Sequence, residues 1–158
     1  MSFDLYLERL VAGESAAVDK AAVLEVLRRY CSDSGDKWGG YDVRFPDGSH
    51  VELSAKNLES GEKVTGCAFH LRGFTPFVVG FVLDVAKAGD MFIFNAQGHD
   101  TPASPVAILS NEAQMGQLPK SAWSNPVYCT SAVHLAELLG ADHQAWERFR
   151  DQAIGKTK

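Results

Sequence analysis

The chain has 158 residues, of which 46% are apolar and 22% charged, and its net charge is −5. That composition is sufficient for one domain spanning residues 1–158, with a core that needs neither metal nor disulfide. It excludes a basic nucleic-acid binder, and no apolar run approaches the length of a membrane span.

The charge is unevenly placed. Residues 1–62 hold 12 Asp/Glu against 7 Lys/Arg, and the remainder holds 8 of each. The opening MSFDLYLERL is acidic early and lacks the basic stretch of a signal peptide. Cys31, Cys67 and Cys129 are odd in number and widely spaced, with no CxxC among them. Free buried thiols in a reducing cytoplasm account for them.

Phe3, Leu5 and Leu7 alternate with Asp4 and Tyr6, which predicts a half-buried first strand. A turn follows at Gly13-Glu14-Ser15. Asp19 caps a helix from Lys20 to about Tyr30, with Val23, Leu24, Leu27 and Cys31 inward. Residues 32–40, SDSGDKWGG, form a polar, glycine-rich loop. Tyr41 to Phe45 and Ser49 to Leu53 alternate on either side of Pro46-Asp47-Gly48, the pattern of a β-hairpin. A second polar turn leads into a strand from Val64 to Leu71. In Gly73-Phe74-Thr75-Pro76, Thr75 is an N-cap and Pro76 the first helical residue, where its missing N–H is harmless. Val78, Phe81, Val82 and Val85 recur at helical spacing, Gly89 ends the helix, and Met91 to Phe94 reads as a buried strand.

The order β-α-β-β-β-α-β predicts an α+β two-layer sandwich with a mostly antiparallel sheet, loosely ferredoxin-like, followed by C-terminal helices. The expected core includes Val23, Leu27, Val78, Phe81, Val82, Val85, Phe92 and Phe94. Beyond Asn95 the pattern weakens. The chain reads as a proline-containing loop at 98–105, an edge strand at Val106 to Leu109, and a short helix capped by Ser110. A loop holding Trp123 comes next. Two helices follow, one ending at Gly140 and the other capped by Asp142 and running to Ile154.

No catalytic motif stands out. There is no GxGxxG, Walker loop or GxSxG elbow, and the five histidines show no HExxH or His/Cys pairing, so no cofactor and no metal site is expected. Cys67 and His70 fall three apart on a strand and point to opposite faces, which rules them out as nucleophile and base. Asp42 and Glu52 on facing hairpin strands read as solvated carboxylates and not as an acid/base pair. His134 and His143 read as surface residues. His70 and Arg72, just before a helix N-terminus, and His99 in the loop beside Asp100, are the candidates for a ligand pocket at the sheet's end. Trp38 is unlike a core residue, because it sits between acids and glycines. It is the candidate anchor for a binding surface, with Asp33, Asp36 and Asp42 around it.

The segments SFDLYLERLVAGE, YDVRFPDGSHVEL, CAFHLRGF and ILSNEAQMGQLP, spanning residues 2–119, together resemble small cytoplasmic bacterial proteins that accompany polymorphic or contact-dependent inhibition toxins. The resemblance implies an immunity partner for a toxin, and no functional residue is carried over from it. The leading expectation is a non-catalytic protein that binds a basic toxin domain and neither nucleic acid nor membrane. The other is a small enzyme or ligand-binding domain using His70, Arg72 and His99. A cavity lined by those three residues favours the second, and an acidic face carrying Trp38 favours the first.

Overall fold

The structure, a computed structural model, describes residues 1–31, 33–96, 107–119 and 125–155. Its centre is β1 (Phe3–Glu8), which pairs antiparallel with β6 (Gly66–Leu71) on one side and β7 (Phe92–Asn95) on the other. A short hairpin of β2 (Leu10–Val11) and β3 (Glu14–Ser15) follows β1 and turns the chain into helix α1 (Lys20–Tyr30). β4 (Gly40–Arg44) and β5 (His50–Ser54) make the expected hairpin, and β5 joins β6. Helix α2 (Pro76–Ala88) carries the chain from β6 to β7. Those two strands run parallel to each other with β1 between them. With β8 (Ala107–Leu109) and β9 (Val127–Tyr128), the sheet has the order β4-β5-β6-β1-β7-β8-β9, and among the described residues only the β8–β9 pair is parallel. The fold is therefore an α+β sandwich on a mostly antiparallel sheet, with helix α3 (Ala132–Ala153) at its C-terminal end.

Local chemistry sets the boundaries. The Asp19 carboxylate accepts from the Ala22 amide and starts α1. Thr75 accepts from the Val78 amide with Pro76 next to it, and Gly89 closes α2. The β4–β5 turn is held by Phe45 N–H to Ser49 C=O at 2.9 Å, and Gly48 supplies the positive φ it needs.

The main core lies between the helices and one face of the sheet. Phe3, Leu5 and Leu7 of β1 and Val51, Leu53, Phe69 and Leu71 of its neighbours meet Val23, Val26 and Leu27 of α1, Val78, Phe81, Val82 and Val85 of α2, and Leu135 and Leu139 of α3. α2 occupies the middle of the helix layer, touching both α1 and α3. Phe81 is fully buried with edge or tilted contacts to Tyr30, Phe45 and Phe69.

Several expectations are corrected. Phe92 is buried but on the opposite sheet face, in a small cluster with Leu10 and Leu109. Phe94 is only partly buried against that cluster. Strand alternation explains this, since Met91 and Ile93 take the helix side. The strand at 107–109 is not an edge, because β9 pairs with its outer side; Val106 lies outside the described residues. Asn111, not Ser110, caps the next turn, a 3-10 helix over Glu112–Gln117, while the buried Ser110 hydroxyl donates to Met91 C=O at 2.7 Å. The two C-terminal helices are one. Gly140 is passed over because Leu135, Leu139, Asp142, His143 and Trp146 form one buried stripe at spacings of three and four. Asp142 caps nothing and instead accepts from Asn95 Nδ2 at 2.8 Å. His143 is not a surface residue: it is 7% exposed, stacked on Phe74 and edge-on to Phe3.

Two outcomes follow for stability. Phe81→Ala is expected to cost about 3–5 kcal/mol in urea unfolding, since a buried ring leaves a cavity among three other rings. The His143 ring is held below its ordinary pKa, by burial first and then by Arg150, with Glu147 opposing. Folding thus disfavours its protonated form. The stability tied to neutral His143 is complete above an unfolded pKa of about 6.5 and is lost as pH falls below it. His143→Phe removes that dependence, so the stability of the variant relative to the parent should rise as unfolding is measured at successively lower pH from neutral to about 5. A difference constant with pH refutes the assignment.

Candidate functional site

The helices cover one face of the sheet, and the polar residues of β4, β5, β6 and β1 occupy the other. In register across that face run Asp42, Glu52, His70 and Asp4. Most of the row is paired. Arg44 donates to Asp42 at 2.9 Å and Arg72 to Glu52 at 2.9 Å, so each of the facing carboxylates is held by an arginine. Tyr6 stands in the next row, 52% exposed.

His70 bridges two strands. Its Nδ1 lies 2.9 Å from Asp4 Oδ1 and its Nε2 3.3 Å from Ser54 Oγ. The order Asp–His–Ser matches that of a serine nucleophile and its base. The resemblance is one of order alone: β5, β6 and β1 are interior strands of the sheet, and the Ser54–His70 contact is long, at 3.3 Å. Arg72 is engaged by Glu52 at the sheet surface. The expected His70, Arg72 and His99 pocket is not assembled by the described residues: neither His70 nor Arg72 lines the clefts described here, and His99, Asp100 and Trp123 lie outside the described residues. Cys67 faces away from His70 toward the core, and burial pushes its thiol up to about 12. Among the described residues no cluster of His, Cys, Asp or Glu could hold a metal ion, and no helix is long and apolar enough to cross a membrane.

Trp38 and the three acids singled out around it do come together. A groove of about 730 Å³ beside β4 is lined by Asp33, Asp36, Trp38 and Asp42, with Glu52, Arg44 and Ser54 completing its polar wall. Glu52 was not foreseen as part of this group, although its place opposite Asp42 in the hairpin register is the signal that finds it. Trp38 is 74% exposed, and the Lys37 ammonium lies 5.0 Å from its ring centre.

The loop that presents Trp38 is built by Asp36 and Gly39. One Asp36 carboxylate oxygen accepts from the Trp38 and Gly40 amides, each at 2.8 Å, while the Asp36 amide donates to Gly40 C=O at 2.9 Å. The Gly40 amide, then the Trp38 amide, holds the Asp36 carboxyl below the usual carboxylate range. Gly39 has φ +80°, and a Cβ there would sit 2.6 Å from the Lys56 Cα, so no other residue fits without displacing the loop. Asp36 therefore positions the tryptophan, while Asp33 is left to face solvent. Beneath the loop, the Tyr41 hydroxyl donates to Glu59 at 3.0 Å and is pushed above its ordinary pKa by burial, then by that carboxylate.

Asp36→Ala should leave the fold intact and release the loop. Amide hydrogen exchange over residues 37–40 is expected to speed up well beyond that of β5; unchanged protection would show that Asp36 does not hold Trp38.

No family model matches the chain, and neither a curated protein nor a solved structure matches it.

Proposed function

We propose that this chain is a non-catalytic binding protein of the immunity type, which neutralises a basic toxin domain in the bacterial cytoplasm by covering it with the Trp38 face. One observation carries the reading: a tryptophan held nearly free of the protein surface by a built loop, at the wall of a groove with four carboxylates and one arginine. Trp is enriched among binding hot spots, and here the indole is presented on a loop fixed by its own hydrogen bonds. The acids serve a different step. Asp33, Asp42 and Glu52 raise the encounter rate of a cationic surface, and Asp36 fixes the anchor's direction. The resemblance of residues 2–119 to immunity proteins points the same way.

The test takes the product of an adjacent toxin gene and measures both rate constants. Trp38→Ala is expected to act on dissociation, with a loss of at least about 2 kcal/mol. Asp33→Asn with Asp42→Asn is expected to act on association, and salt of about 1 M, where the Debye length falls to about 3 Å, should mimic it. If the toxin domain is neutralised equally well with Trp38→Ala and with the double change, the proposed face is wrong. If it is not bound by the parent protein, the immunity reading falls.

A further inference from the structure

Trp38 also borders a second cleft, of about 470 Å³, that lies over the β6 and β1 side of the same sheet face. The two clefts share Trp38 and Ser54 in their walls. Their charges are opposite. The first has Asp33, Asp36, Asp42 and Glu52 against Arg44, and the second has Lys56 and Lys63 against Glu8. Among the described residues, neither Lys56, Lys63 nor Asp33 takes part in an ion pair.

The lysine cleft has no use in the capture of a basic partner. A cationic surface seated in the acidic groove finds no partner in the Lys56 and Lys63 ammonium groups of the second cleft. The pattern is, however, complementary to itself. A half-turn about an axis lying in the plane of the contact, through Trp38 and along the strands, exchanges the β4–β5 side with the β6–β1 side. It thereby brings the acidic cleft of one molecule over the lysine cleft of another. A twofold contact of this isologous kind needs such self-complementarity.

We propose that the uncovered face of the sheet docks a second copy of this chain, with the two Trp38 side chains near the twofold axis and Asp33 and Asp42 of each copy facing Lys56 and Lys63 of the other. Tyr6, half-exposed in the same cleft as the lysines, adds a second aromatic to the buried centre. Four strands at about 4.8 Å spacing and about 3.4 Å rise per residue give a footprint of roughly 15 by 20 Å. That is about 300 Å² per copy, below the size of stable specific interfaces, so the dimer is weak, transient and salt-sensitive. This inference does not rest on the toxin-binding reading. A monomeric protein that still binds a toxin through Trp38 defeats the dimer alone.

Sedimentation velocity over a concentration series, at about 0.02 M and about 1 M salt, measures the association. A reversible dimer at low salt is expected, weakened about tenfold or more by Trp38→Ala and by high salt. Two charge-reversed proteins then locate the contact: Lys56→Glu with Lys63→Glu, and Asp33→Lys with Asp42→Lys. All four side chains are exposed, and circular dichroism melts confirm that each variant folds. Each is expected to be monomeric alone, and the mixture is expected to form a heterodimer, because both halves of the contact become complementary again. Three results overturn the proposal: a monomer at every concentration, a dimer unmoved by these variants, or reversed variants that stay monomeric when mixed.

Discussion

The molecule depends on the alternation within β1. Phe3, Leu5 and Leu7 are fully buried beneath the helices, and Asp4, Tyr6 and Glu8 project from the other side of the same six residues. Because β1 pairs with both β6 and β7, these residues join the two halves of the sheet. A slip of one residue in either pairing would turn three large apolar side chains to solvent and bring two carboxylates into the core. β6 and β7, joined in sequence by α2, are not neighbours in the sheet, because the chain's first strand lies between them. Correct folding therefore needs contacts between residues 3–8 and 66–95, at a loop-closure cost that only the apolar core offsets.

Covering the sheet on one side has a functional consequence. α1, α2 and α3 fill one face, and the β2 strand with the 3-10 turn shields Phe92 and Leu109 on the other. The part from β4 to β1 is left to polar side chains. Two of its carboxylates are paired in place, Asp42 with Arg44 and Glu52 with Arg72, while His70 bonds Asp4. Exposed pairs of this kind contribute little to stability, but they flatten the local potential. What remains is Asp33 and Asp36 on one side of Trp38, and Lys56 and Lys63 with Glu8 on the other. The face is thus nearly neutral in sum and polar in direction, a property of geometry that net charge alone does not reveal.

The loop at 33–40 shows how a binding feature is made from backbone chemistry. Asp36 uses its carboxylate to gather two amides, and Gly39 admits the close approach to Lys56. The indole is then held outward with little freedom in its backbone, which lowers the ordering cost on association. The same division of labour separates the acids that looked alike in the chain: one positions, another is paired, and a third is free.

Period and punctuation in the chain were enough for much of this. The Asp19 and Thr75–Pro76 helix starts, the Gly89 stop, the Pro46-Asp47-Gly48 hairpin and the β-α-β-β-β-α-β order are all local signals, set by hydrogen bonding and φ preferences within a few residues. Trp38 could be picked out as a surface aromatic because its neighbours are acids and glycines. Other features required partners distant in sequence. That Gly140 is carried inside a helix, that Phe92 belongs to a second cluster and that His143 is buried between Phe3 and Phe74 follow from which faces meet across the fold, where burial outweighs local propensity. The gathering of Asp33, Asp42 and Glu52 into one groove, and the placing of Lys56 and Lys63 on its far side, were decided only by the tertiary structure. Strand register and the return of one loop over the sheet determine which charges become neighbours, and no spacing along the chain encodes that distance.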